Sequence, residues 1–258
     1  MTAMPVVAGL SVDLEGGKRV IRTHLNKGWR MDPRDLPIYT VPDAAHYLRI
    51  PPSTLKSWVV GRPYRTKSGV RHAEPLIRTP GAGSPRLLSF FNVVEAHILS
   101  ALRRVHQVPM ENVRRAIAQV EEDLGSKHPL IDARFKTDGV NLFVEHCDHL
   151  MDQNGQFAIR KAIEAHLERI EWEPGMHGLA VRLYPFIIEP HQPDERKTIL
   201  IDPRRAFGRP VLAGTGIQTA VIASRHRAGE SIHELAQDYN LPVDKVEDAI
   251  RCELRGAA

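Results

Sequence analysis

Thr40-Val41-Pro42-Asp43-Ala44-Ala45-His46-Tyr47-Leu48-Arg49-Ile50-Pro51-Pro52-Ser53-Thr54-Leu55-Lys56-Ser57-Trp58 is the stretch on which the reading of this 258-residue chain turns. Thr40 offers a hydroxyl to cap a helix, and Asp43 stands three residues on as its capping-box partner. Pro42 lies in the first turn, where its missing N–H costs nothing. Arg49-Ile50-Pro51-Pro52 must break that helix, and a second one restarts with Ser53 as its N-cap. Ala44, Leu48, Leu55 and Trp58 fall on inward faces, which leaves Thr54, Lys56 and Ser57 on the open face of the second helix. Trp58 reads as a core anchor, because a helix of this amphipathicity needs a large inward residue. Two short helices meeting at a tight turn predict a helix-turn-helix.

Working outward, residues 61–85 are rich in Gly, Pro and Arg, and Arg86-Leu87-Leu88-Ser89-Phe90 reads as a strand closing a long hairpin, a basic wing. Upstream, residues 1–36 form an irregular or partly paired lead-in. Downstream, Val94, Ile98, Ala101, Leu102 and Val105 make one helical stripe, with Arg103 and Arg104 on its other side. Met110, Val113, Ile117, Val120 and Leu124 make a second, stopped by Gly125. A first domain is expected over 37–127. In a connecting region over 128–190, Asp138-Gly139 flanked by residues 135–137 and 140–144 predicts a β-hairpin. A helix over 157–170 and a strand within 179–188 follow, then a polar, proline-containing linker at 189–195. The domain expected over 191–258 opens with a strand at 198–201 and continues with a helix over 217–228 closed by Gly229. Ser231-Ile232-His233-Glu234 is a capping box that opens another helix, and a final helix carries Val243, Val246, Ala249 and Ile250. The fold class is therefore α+β and mainly helical: an N-terminal winged helix-turn-helix, a central hairpin-plus-helix region and a C-terminal helix-turn-helix-like domain.

Charge separates the two ends. Between Arg49 and Arg86, eight basic residues face the single acid Glu74, so that segment carries +7 of a chain total of +4 and the remaining residues carry −3. Such asymmetry is an electrostatic footprint for phosphate. The second helix offers Ser53, Thr54, Lys56 and Ser57 to base edges and phosphate. The wing offers Arg62, Arg65, Lys67, Arg71 and Arg86 to phosphates or the minor groove. Residues 189–258 hold eleven acids and ten bases, and a helix-turn-helix shape without positive charge points to protein contact.

Other chemistry finds no support. A hydrophobic content of 42% and a charged content of 26% fit a soluble globular chain. No apolar run approaches the ~18 residues of a membrane span. Met4 to Leu10 lacks the basic start of a leader peptide, and a cytoplasmic location without membrane contact is expected. The two cysteines, Cys147 and Cys252, form no C-x-x-C. His146-Cys147-Asp148-His149 holds metal-ligand residue types without a fourth partner, so neither a metal nor a cofactor is expected. No nucleophile elbow organises the histidines, and no catalytic residue is assigned. Gly81-Ala82-Gly83 and Gly214-Thr215-Gly216 read as turns rather than phosphate loops.

Residues 37–127, with Leu88-Ser89-Phe90-Phe91 and Arg103-Arg104, resemble a MerR-type winged helix. Residues 198–251 resemble a small bacterial domain family long catalogued as of unknown function, through Ile201-Asp202-Pro203, Phe207-Gly208-Arg209-Pro210 and Gly214-Thr215-Gly216-Ile217. Members of that family commonly sit beside PIN-like ribonuclease toxins, and fusion to a MerR-like DNA reader is similar to the larger VapB-type antitoxins. The resemblance implies an antitoxin that neutralises a PIN-like ribonuclease toxin and represses its own operon by binding double-stranded operator DNA as a homodimer. It leaves the toxin-contacting surface unassigned. The competing reading is a MerR-like transcriptional regulator controlled by a small-molecule effector, without a toxin partner.

Overall fold

A computed structural model describes residues 10–15, 18–23, 32–66, 69–81, 85–104, 110–126, 128–147, 153–175, 177–186 and 196–254. The chain divides into two units, Met1–Asp32 and Pro33–Ala258. In the first, β1 (Leu10–Glu15) pairs antiparallel with β2 (Lys18–Thr23), from Leu10 opposite Thr23 to Glu15 opposite Lys18. All else described below lies in the second.

Helix α1 (Val41–Tyr47) begins where its capping chemistry directs: Thr40 Oγ1 accepts the Asp43 N–H at 3.1 Å and donates to Asp43 Oδ2 at 2.6 Å. It ends in a Schellman motif, with the Arg49 N–H on His46 O at 3.1 Å and the Ile50 N–H on Ala45 O at 2.9 Å. Arg49 takes the left-handed position at φ 52°. Helix α2 (Pro52–Val60) starts earlier than the sequence predicts. Pro51 holds the cap position with no side-chain cap bond, and Ser53 lies inside the first turn. Pro52 accounts for the shift, because its fixed φ suits the first helical position. Leu55, Trp58 and Val59 are buried.

The chain leaves α2 through Gly61 at φ 81°, where a Cβ would lie 2.1 Å from Ala73 O. Strands β3 (Arg62–Thr66) and β4 (Gly69–Ala73) then form a tight antiparallel hairpin. The wing therefore closes at Ala73, and the strand expected at 86–90 is absent. Leu88 instead bridges Tyr39, the two exchanging backbone hydrogen bonds of 2.8 and 3.0 Å. Glu74-Pro75 ends the ladder, since Pro has no N–H to pair. Beyond it the N–H groups of Leu76 and Ile77 return to Trp58 O at 2.7 and 3.0 Å.

Ser89 and Asn92 cap α3 (Phe90–Arg104) reciprocally, and every residue of it from Phe90 to Leu102 is buried. Helix α4 (Met110–Leu124) packs on α5 (Val140–Cys147), and α3 packs on α6 (Gln153–Leu167). One apolar core thus runs from Tyr39 to Ile201. The hairpin expected at 135–144 is a helix: Phe135–Gly139 forms a π-helical turn that leads into α5. Gly139 is not in the left-handed region that a D-G hairpin turn uses. It is small because a Cβ there would meet the Phe135 ring at 2.7 Å. The hairpin of this region is β5 (Ile170–Trp172) with β6 (Ala180–Leu183). The expected linker at 189–195 lies outside the described residues, as do Asp148 and His149.

A second core gathers Ile199, Leu212, Ile222, Leu235, Val246 and Ala249. It belongs to β7 (Ile199–Leu200), β8 (Val211–Leu212), α7 (Thr219–Arg227), α8 (Ile232–Asp238) and α9 (Val243–Glu253). The Ser231 capping box forms as expected, with the Glu234 N–H on Ser231 Oγ at 3.2 Å and the Ser231 N–H on Glu234 Oε2 at 2.8 Å. Leu183 and Ile201, both in the first core, exchange backbone bonds of 3.0 and 2.8 Å next to β7. The architecture is α+β and mainly helical, as the patterning predicts. Among the described residues no helix is long and apolar enough to cross a membrane.

Candidate nucleic-acid interface

The first turn of α2 carries fewer backbone donors than an ordinary helix end, because Pro51 and Pro52 have no N–H. Recognition there falls to side chains. Ser53 and Lys56 are exposed, whereas Thr54 and Ser57 are half-buried. The Ser57 hydroxyl donates to Thr54 O at 2.7 Å, within its own helix. The carbonyl end of α2 is satisfied from within the fold: Gly61 N–H bonds Ser57 O, Leu76 and Ile77 bond Trp58 O, and Arg86 Nη1 bonds Val59 O at 3.4 Å. Arg86 thus sits where a cation complements the helix dipole.

In the wing, Arg62 stands opposite Ala73, Tyr64 opposite Arg71, Pro63 opposite His72 and Arg65 opposite Val70. Directly paired residues share a face and neighbours along a strand alternate. Arg62 and Arg71 therefore lie on one face of the ribbon, and Arg65 lies on the other with Val70 and His72. Both faces are cationic. Arg62, Arg65 and Arg71 are exposed, and Lys67 lies outside the described residues.

Not all of the segment's positive charge faces outward. Arg49 Nη2 donates to Arg251 O at 2.8 Å, and Arg78 grips Glu121 through bonds of 2.7 and 3.1 Å. That bond raises the Arg78 pKa and keeps its charge paired. Lys56, Arg62, Arg65 and Arg71 form no ion pair among the described residues, so their charge is available to a phosphate surface. Sequence reasoning passed over Val70, 69% exposed, and His72 on the same strand. The two-residue alternation of a hairpin would have marked both.

Fold and surface define a helix-turn-helix protein with a cationic hairpin wing. Residues 37–117 match the family model described as "Putative DNA-binding HTH domain", and residues 199–251 match the one described as "Protein of unknown function (DUF433)". The chain is similar to "Putative antitoxin VapB45" of Mycobacterium tuberculosis, 28% identical over 233 residues that cover 84% of this chain and 93% of that protein. It is also similar to "Uncharacterized protein Rv2308" of the same organism, 25% identical over 84% of this chain and 90% of that one. The crystal structure of Rv2018 from M. tuberculosis superposes with a TM-score of 0.62 at 25% identity, over 84% of this chain and 98% of that one. The likeness to a VapB-type antitoxin read from the residues is borne out, as is the helix-turn-helix.

Proposed function

We propose that this chain is an antitoxin that binds operator DNA as a homodimer and neutralises a PIN-like ribonuclease toxin. The DNA reader is MerR-like and occupies residues 37–127, the connecting region is 128–190, and the toxin-binding part is 191–258. Ser53 and Lys56 meet the major groove, while Arg62, Arg65 and Arg71 follow the backbone, with Thr54, Ser57 and Arg86 at the margins; Lys67, outside the described residues, is assigned to the same contact. The observation that carries this reading is the set of four cations, Lys56, Arg62, Arg65 and Arg71, which have no acidic partner among the described residues, beside an open helix. The relative named as an antitoxin supports the toxin half. The mechanism is binding, not turnover.

The test is a salt series on DNA from upstream of the chain's own gene, combined with co-purification of the product of the adjacent gene. Each phosphate contact contributes about −0.9 to the slope of log K against log salt, so a dimer using all four cations on each copy approaches about −7. Arg65→Ala and Arg71→Ala should each make the slope shallower by about 2 per dimer, whereas Arg78→Ala should leave it unchanged. A flat salt response removes the DNA half of the reading, and an adjacent nuclease that fails to bind removes the toxin half.

A further inference from the structure

Four described residues other than glycine have positive φ, and two of them are explained by helix ends: Arg49 closes α1 and Asn240 closes α8. The other two, Ala206 at φ 48° and Phe207 at φ 53°, are consecutive and lie in the short turn Ala206–Gly208. A bulky aromatic in the left-handed region is an outlier, and such outliers persist only where the surroundings enforce them. Phe207 recovers nothing by packing. At 89% exposed it is the most exposed large hydrophobic side chain among the described residues.

The turn beneath the ring is held from several sides. Buried Asp202 accepts the Arg204 N–H at 2.9 Å and Arg182 Nε at 3.1 Å. The Gly208 N–H bonds Arg205 O at 2.8 Å, and the Arg209 N–H bonds Ala206 O at 3.1 Å. The Tyr39 hydroxyl donates to Gly208 O at 2.8 Å, and burial raises its pKa so that it stays a donor. Gly208 admits that contact only because it lacks a Cβ, which would stand 2.2 Å from the hydroxyl oxygen. The ring is thus presented on a fixed support, with its ordering cost met before any encounter.

Around it, Arg204, Arg205 and Arg209 are exposed, and Ile38, 41% exposed, flanks Gly208. Arg205 leans on buried Asp202 at 3.8 Å, whereas Arg204 and Arg209 form no ion pair among the described residues. An aromatic anchor with arginines about it is the composition of a protein-interface hot spot. The near balance of charge over residues 189–258, eleven acids against ten bases, favours a protein over a nucleic acid as the occupant. We infer that the Arg204–Arg209 turn is the anchor for a protein partner that presents an apolar pocket for Phe207 rimmed by carboxylates. This rests on the proposed toxin partner and assigns the surface that meets it.

The test titrates the purified adjacent-gene nuclease, and separately operator DNA, with the full chain and three variants: Phe207→Ala, Phe207→Gly, and Arg204→Glu with Arg205→Glu and Arg209→Glu. Phe207→Ala should weaken nuclease binding about 30-fold or more, and the triple reversal should weaken it further, both with DNA binding unchanged. Phe207→Gly should lose the same affinity while its melting temperature rises, because glycine relieves the left-handed position. A merely structural residue would not lose binding and gain stability together. Variants that bind the nuclease as the parent does overturn the assignment and leave the antitoxin reading standing. Variants that lose DNA instead overturn it in favour of a nucleic-acid wedge. A parent chain that binds no nuclease overturns both readings together.

Discussion

In α1–α2 the chain passes between helices through Leu48-Arg49-Ile50-Pro51, and in α8–α9 it passes through Tyr239-Asn240-Leu241-Pro242. Both first helices have seven residues, both are capped by a hydroxyl bonded to the third helical N–H, and both end in a Schellman motif around a left-handed residue, at φ 52° and 49°. Matched from the proline onward, Leu55, Trp58 and Val59 correspond to Val246, Ala249 and Ile250, all buried. The outward positions diverge. Where α2 carries Ser53 and Lys56, α9 carries Asp244 and Glu247. The position of Ser57 is Asp248, buried and bonded by Thr198 at 2.8 Å. Where α2 stops at Gly61 to enter the wing, α9 runs on through Cys252. The turn sets the angle between two helices, and the residues on the second helix decide what that angle serves.

The largest effect should come from erasing the difference in charge. Lys56→Glu with Arg65→Glu should lower operator affinity at least ~100-fold, while Glu247→Lys should change it less than about 3-fold. Fluorescence anisotropy at fixed salt reads both, and a gain from Glu247→Lys would bring the α8–α9 turn within reach of the duplex. Gly61→Ala tests the wing junction: its Cβ meets Ala73 O in a left-handed backbone, so chemical denaturation should show a loss of about 2 kcal/mol or more. Cys252→Ala, at the matched position, should cost about 1 kcal/mol. Thr40→Ala and Ser231→Ala should likewise each cost about 1 kcal/mol, and clearly unequal losses would break the equivalence of the two turns.

The smallest effect concerns the contact between α3 and the turn after α4. His128 Nδ1 meets buried Glu95 Oε1 at 3.0 Å, and this hydrogen bond raises the His128 pKa above 6.5. A raised folded pKa means that the stabilisation is complete below the unfolded value and is lost as pH rises through the folded one. His128 is 39% exposed, so solvent screening limits the gain to under about 1 kcal/mol. His128→Gln should flatten the stability profile between about pH 6 and 8, as melting temperatures across that range would show.

Sequence reasoning reached what local chemistry decides. The Thr40–Asp43 and Ser231–Glu234 caps span three residues each, and both helices start where those residues place them. Trp58 is the core anchor its spacing implies. Asp138-Gly139 misled because one glycine answers to two demands, a left-handed turn or a close neighbour, and here the neighbour is the Phe135 ring. The cationic segment was legible as a total but not as a surface. The partners that engage Arg49, Arg78 and Arg86 lie 202, 43 and 27 positions away, beyond any local pattern. Phe207 stood in view within Arg204-Arg205-Ala206-Phe207-Gly208-Arg209, yet only the backbone angle and the bare ring single it out.

The bond from Arg49 to Arg251 O also has a place in time. Ribosomes add about 5–20 residues per second, so α9 leaves the ribosome about 10–40 s after the α1–α2 turn. The turn's own backbone bonds reach at most five residues, Ile50 to Ala45. The guanidinium of Arg49 meanwhile waits in water for a carbonyl 202 residues later. During synthesis the α1–α2 turn therefore emerges first, and its tether to the C-terminal helices is fastened last.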